Sequence, residues 1–118
     1  MVAAHETLAI LVIAIAVMAS ASGAYAYRRR GSAGAVVRQL LTLAQTVLIA
    51  QVALGLLLLS DDRRATEELH YAYGTLALVA VLAPWLYAPA EPRRRLLWFA
   101  VATLLAGALA VRAYMTGA

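Results

Sequence analysis

Residues 67–95 read EELHYAYGTLALVAVLAPWLYAPAEPRRR: a histidine, an apolar run of helical length, prolines and an arginine triplet. Between His70 and Glu91 there is no charged residue, and that interval is about what a helix needs to cross a hydrocarbon core of ~30 Å. The same order occurs at residues 5–30, HETLAILVIAIAVMASASGAYAYRRR. His5 and His70 are the only histidines, and each stands 23 residues ahead of the first arginine of its triplet. The two units are offset by 65 residues and each is followed by a further apolar run. The chain therefore reads as two parallel copies of one helical hairpin.

Composition agrees. Of 118 residues 64% are hydrophobic and only 14% charged, more apolar surface than a soluble domain of this size can bury. Lipid is the solvent that resolves this, and extended sheet is excluded because an unclosed edge leaves backbone groups unpaired in lipid. Hydropathy predicts membrane helices over 7–27, 37–59, 69–88 and 96–114, with Pro89 and Pro92 ending the third. The expectation is a single all-α domain, 1–118, forming a four-transmembrane-helix bundle. The N-terminus lacks the basic region of a signal peptide, so the first apolar run reads as a permanent helix.

The charges set an orientation. Arg28, Arg29, Arg30, Arg38, Arg93, Arg94 and Arg95 fall at one end of the spans. Arg63, Arg64 and Arg112 fall at the other, with Asp61, Asp62, Glu67 and Glu68. The positive-inside rule then gives an N-out, C-out protein, and Tyr25, Tyr27, Trp85, Tyr87 and Trp98 form an aromatic belt at the arginine end. The expected location is the inner (plasma) membrane of a bacterium, multi-pass. The basic pI, near 10, is explained by topology and not by nucleic acid. Cysteine is absent, which excludes disulfides and thiolate metal sites.

Matched histidines on the first and third helices predict an imidazole pair facing across the bundle near the extracytoplasmic face. In a helical bundle such a pair is a route to six-coordinate haem, each histidine giving one axial nitrogen. His70 is followed one turn on by Gly74 and His5 by Ala9, which keeps the flanks clear; Gly55 and Gly107 relieve the sides of the second and fourth helices. Arg112, Arg63 and Arg64 are the expected cationic partners for propionates, with Tyr71, Tyr73 and Tyr114 at the same level. Gln51 and Gln45 are polar at lipid depth and so face the bundle; Gln45 reads as interhelical glue. Met18 reads as core filler. The set of expected cofactor contacts is thus His5, His70, Gly74, Gly55, Gln51 and Arg112, with His5 and His70 on the iron of haem b.

The segment AQVALGLLLLS, residues 50–60, with Gln51, Leu54 and Gly55, followed by the histidine-headed LHYAYGTLALV, residues 69–79, resembles one half of the haem A synthase family. That family repeats four-helix bundles that hold haem between histidines on alternate helices, and cytochrome b561-type bundles are similar at the level of fold. The resemblance covers roughly residues 5–85 and implies a haem b-binding bundle. It does not imply haem A synthesis. The family's histidine–arginine pair preceded by glutamate is missing, since this chain reads His5–Glu6, and so are the cysteine pair and the second bundle.

The expected function is electron transfer or redox sensing by a non-catalytic membrane cytochrome. The alternative is a colourless accessory subunit of a respiratory or photosynthetic complex. The expected partners are the bilayer and a redox partner or larger membrane complex, with a homo-oligomer as a further possibility. A proton-coupled exporter is disfavoured because residues 7–27 hold no acid, and two imidazoles without a soft ligand make an incomplete copper site.

Overall fold

The structure, a computed structural model, describes residues 2–29, 34–60 and 68–117. Those residues form four helices, α1 (Val2–Arg29), α2 (Ala35–Ser60), α3 (Leu69–Tyr87) and α4 (Pro92–Gly117), and no strand. Each helix is long and apolar enough to cross a membrane. The shortest, α3 with 19 residues, spans about 28 Å at 1.5 Å per residue, close to the bilayer core. Side chains such as Ile10, Leu56, Leu86, Leu104 and Met115 are more than half exposed, an arrangement that lipid favours and water does not. The chain has the make-up of a multi-pass membrane protein.

The helix ends differ from the hydropathy reading by several residues. α1 begins at Val2, so His5 lies within its first turns, and α4 begins at Pro92, so the arginine triplet is its first turn. Hydropathy reports what sits in lipid, whereas a helix continues until its backbone is capped or broken. α3 stops at Tyr87. Its buried Pro84 cannot donate to the preceding turn, and the Ala88 N–H closes on the Pro84 carbonyl at 2.9 Å before the chain turns extended.

Glu91 starts α4. Its carboxylate accepts the Arg93 N–H at 3.1 Å and the Arg94 N–H at 2.9 Å, while its carbonyl accepts the Arg95 N–H at 2.9 Å. Pro92 fills the first helical position, where a missing N–H costs nothing. The backbone bonds, Arg94 first and Arg93 second, hold the carboxyl below the ordinary glutamate value of 4.5, with smaller help from the guanidinium charges. Because the folded pKa is depressed, the capping contribution is complete above the unfolded value and is lost as pH falls through the folded one. Carboxyl-carbon NMR is expected to show Glu91 titrating below 4.5, and Glu91→Gln to abolish the pH dependence of amide protection at Arg93 and Arg94.

The hairpins pack, but not symmetrically. α1 lies along both α2 and α4, and α4 also lies along α3, whereas α2 meets α3 sparsely; α1 and α3 stand diagonally across the bundle with no backbone approach. A true pseudo-two-fold would make the α2–α3 seam equal to the α1–α4 seam. Small residues explain the difference. A Cβ added to Gly23 would lie 2.9 Å from the Ala100 Cβ, and one added to Gly107 would lie 3.0 Å from the Ala16 Cβ. Ala16, Ala19 and Ala26 share this buried face of α1, and such residues let backbones close up. The α2–α3 seam instead holds bulk: Trp85 Nε1 donates to Gln45 Oε1 at 2.9 Å, which makes Gln45 the interhelical link expected of it. Trp85 also meets Phe99 edge-on at 5.2 Å, and Arg95 lies over both rings.

Two apolar clusters fill the interior. One joins Val12, Leu48, Ala77, Val81 and Ala106, nearer the histidine end; the other joins Ala19, Ala26, Leu41, Ala44 and Leu96, nearer the arginines. Met18 is not core filler: it is 55% exposed on the outer face of α1, because the inner face at that depth is taken by Ala16, Ala19 and Ser20.

Candidate functional site

His5 belongs to the first turns of α1 and His70 is the second residue of α3, so the two side chains start from diagonal helices at one end of the bundle. Their ring centroids are 6.0 Å apart with an interplanar angle of 79°. Both histidines stand near the starts of their helices: α1 runs from His5 to its arginines at Arg28 and Arg29, while α3 ends at Tyr87 and the second arginine triplet opens α4.

Each histidine is set by a neighbour. His70 Nδ1 lies 2.6 Å from the Ala113 carbonyl of α4. A carbonyl oxygen only accepts, so Nδ1 carries the proton and a neutral His70 keeps its lone pair on Nε2. That is the outer support metal-bound histidines ordinarily have. His5 is held through its backbone: Gln51 Nε2 of α2 donates to the His5 carbonyl at 2.8 Å. The His5 ring leans on Gly55, where an added Cβ would lie 3.2 Å from Cε1. Gly55 therefore makes room for the imidazole and not for the edge of a macrocycle, the role expected of it. Two buried polar atoms here, His5 Nδ1 and Gln51 Oε1, have no hydrogen-bond partner among the described residues, a cost of ~1–3 kcal/mol for each unless something else engages them.

Gly74, one turn along α3 from His70, has open space on its Cα: nothing lies within 4 Å of an added Cβ. Gly107 has no such opening, because Ala16 fills it; it is a packing point of the α1–α4 seam, away from the histidines. Arg112 lies over the Tyr73 ring at 5.5 Å, which leaves its N–H edges available at this end. Tyr71 meets the His70 ring edge-on at 5.7 Å. Arg30, Asp61, Asp62, Arg63, Arg64 and Glu67 lie outside the described residues.

The structure thus brings together His5, His70, Gln51 and Gly55, and sets Gly74 and Arg112 on helices beside them. Sequence reading did not find Ala113. Its contribution is a backbone carbonyl, which any residue carries, so no side-chain signal marks it.

No family model, curated protein or solved structure matches this chain.

The described donors at this end are two imidazoles, those of His5 and His70. Among the described residues no three His, Cys, Asp or Glu side chains gather closely enough to hold a metal ion. A porphyrin brings four of the six iron ligands and asks the protein for two. The two imidazoles, with centroids 6.0 Å apart, are the residues that could supply those two.

Proposed function

We propose that this chain is a membrane-bound b-type haem protein, with His5 and His70 as axial ligands, that serves electron transfer or redox sensing. The observation that carries the reading is the approach of two imidazoles, with ring centroids 6.0 Å apart, from helices whose backbones do not meet. Haem held in this way supplies one-electron redox chemistry and leaves no coordination position for substrate. The chain's own residues supply the rest. The Ala113 carbonyl orients His70, Gln51 and Gly55 seat His5, and Arg112 offers cationic N–H donors to propionates. The bare Cα of Gly74 admits a flat ring beside α3. The same arrangement is what the resemblance to the haem A synthase half-bundle implies.

The test is an optical spectrum of the purified protein, oxidised and then reduced. The expected result is the sharp reduced bands of low-spin, bis-histidine haem b at one haem per chain. A colourless protein that takes up no added haemin would sink the proposal and return the chain to the accessory-subunit reading.

The orientation belongs to the same proposal. With the arginine end in the cytoplasm, the histidines lie toward the outer face. Cysteines placed at Ala90 and Glu68, exposed at opposite ends of α3, are expected to react with an impermeant maleimide from opposite sides of the membrane, Glu68→Cys from outside. Labelling of both from one side would break the paired-hairpin topology, and labelling of Ala90→Cys alone from outside would reverse it.

A further inference from the structure

The lipid-facing side of α2 carries a feature that the histidine pair does not use. A cavity of about 410 Å³, widely open and with its described lining all from this one helix, runs along the start of α2 past Ala35, Arg38, Gln39, Thr42, Leu43 and Thr46. These positions recur at intervals of three and four, so they form one helix face, and all six are exposed. From Ala35 to Thr46 the face runs about 16 Å down the helix, from the arginine end into the depth of the bilayer. Its upper part is cationic and polar; its lower part adds Leu43 and Thr46, whose hydroxyl donates to the Thr42 carbonyl at 2.9 Å.

The polar groups at the top are uncommitted. Arg29 lies over Tyr25, Arg93 over Tyr27 and Arg95 over Trp85 and Phe99. No ring or carboxylate among the described residues lies on Arg38 or on Arg28; Arg38 differs in standing next to Gln39, whose amide makes no side-chain hydrogen bond among them. The described acid at this end, Glu91, is engaged by the start of α4. The cavity therefore presents an unmatched guanidinium beside a free amide at headgroup level, above an increasingly apolar wall.

We propose that this groove binds one anionic membrane phospholipid, with its phosphodiester on Arg38 and Gln39 and its ester and first chain carbons along Thr42, Leu43 and Thr46. Charge decides for a lipid over a second copy of the chain. A guanidinium pairs bidentately with phosphate oxygens, whereas a two-fold contact through this face would bring two Arg38 side chains together without a counter-charge. Basic side chains at the membrane surface attract anionic headgroups for the same reason. The gradation from cation to hydroxyl to leucine follows the order of groups along a phospholipid.

The full chain, reconstituted in phosphatidylcholine nanodiscs doped with phosphatidylglycerol and released for native mass spectrometry, is expected to retain one phosphatidylglycerol and no phosphatidylcholine. Arg38→Gln is expected to lower that retention about tenfold, the loss of one charge-assisted contact, and Gln39→Leu to lower it less while keeping α2 at home in lipid. Arg94→Gln, on the same end but outside the cavity, is the charge control and is expected to change nothing. Helicity and melting of each variant check that α2 is intact, and haem content is expected to stay level because the groove is separate from the histidines. Equal retention of both lipids would overturn the proposal, as would equal losses in Arg38→Gln and Arg94→Gln. Displacement of the lipid by millimolar inorganic phosphate would show a simple anion site, and a chain dimer carrying no lipid would show a second copy on this face; either result overturns it too.

Discussion

Replacing His70 with alanine is expected to abolish the low-spin haem spectrum and to weaken haem binding more than the same change at His5 does. Both variants lose one axial bond, but the two ligands are not equally supported. His70 is held by the Ala113 carbonyl through Nδ1, whereas His5 Nδ1 has no partner among the described residues. Support of this kind is worth roughly 10–100-fold in metal affinity. His5→Ala is therefore expected to leave five-coordinate, high-spin haem on His70, and His70→Ala to leave little haem. Folding should survive both. The Ala113 carbonyl keeps the Thr116 hydroxyl as a donor at 3.1 Å, and the Gln51 bond goes to the His5 backbone, which alanine retains. Haem stoichiometry, spectra and circular dichroism of the two variants decide the matter. An unchanged low-spin spectrum in both would show that this pair does not hold the iron.

Gly74→Leu is expected to lower haem occupancy tenfold or more while the haem-free protein melts as the wild type does. The proposed ring needs the bare face of α3 one turn from His70, and overfilling a packed site costs typically ~1–3 kcal/mol, which is roughly tenfold or more in binding. The structure makes the control unusually clean, because no atom lies within 4 Å of a Cβ at Gly74. The Cβ of a leucine there meets no described atom, and leucine suits a membrane helix. Gly23→Leu supplies the contrast. Its Cβ would lie 2.9 Å from that of Ala100, so the α1–α4 seam must open, and the loss appears in the melting of the haem-free protein. Full haem occupancy in Gly74→Leu would count against a ring beside α3, and a lowered melting point there would make Gly74 a packing residue like Gly23.

The sequence by itself determined the four spans, the arginine-rich end and the placing of both histidines at the other end. Hydrophobic run length and charge are local properties, and a bilayer reads them without reference to the fold. The approach of the imidazoles followed from the placing of both histidines near the starts of two spans that run the same way. The tertiary structure alone decided which faces meet. The repeat predicted two equivalent seams, yet Ala16, Gly23, Ala100 and Gly107 draw α1 and α4 together while Trp85 and Gln45 hold α2 from α3. Helical rotation, which no hydropathy run encodes when every face is apolar, also turned Gly55 toward His5 and Met18 toward lipid. The two contacts that set the histidines end on main-chain carbonyls, those of Ala113 and His5. A carbonyl is the same at every residue, so only packing, which fixes the rotation and depth of each helix, could single these out.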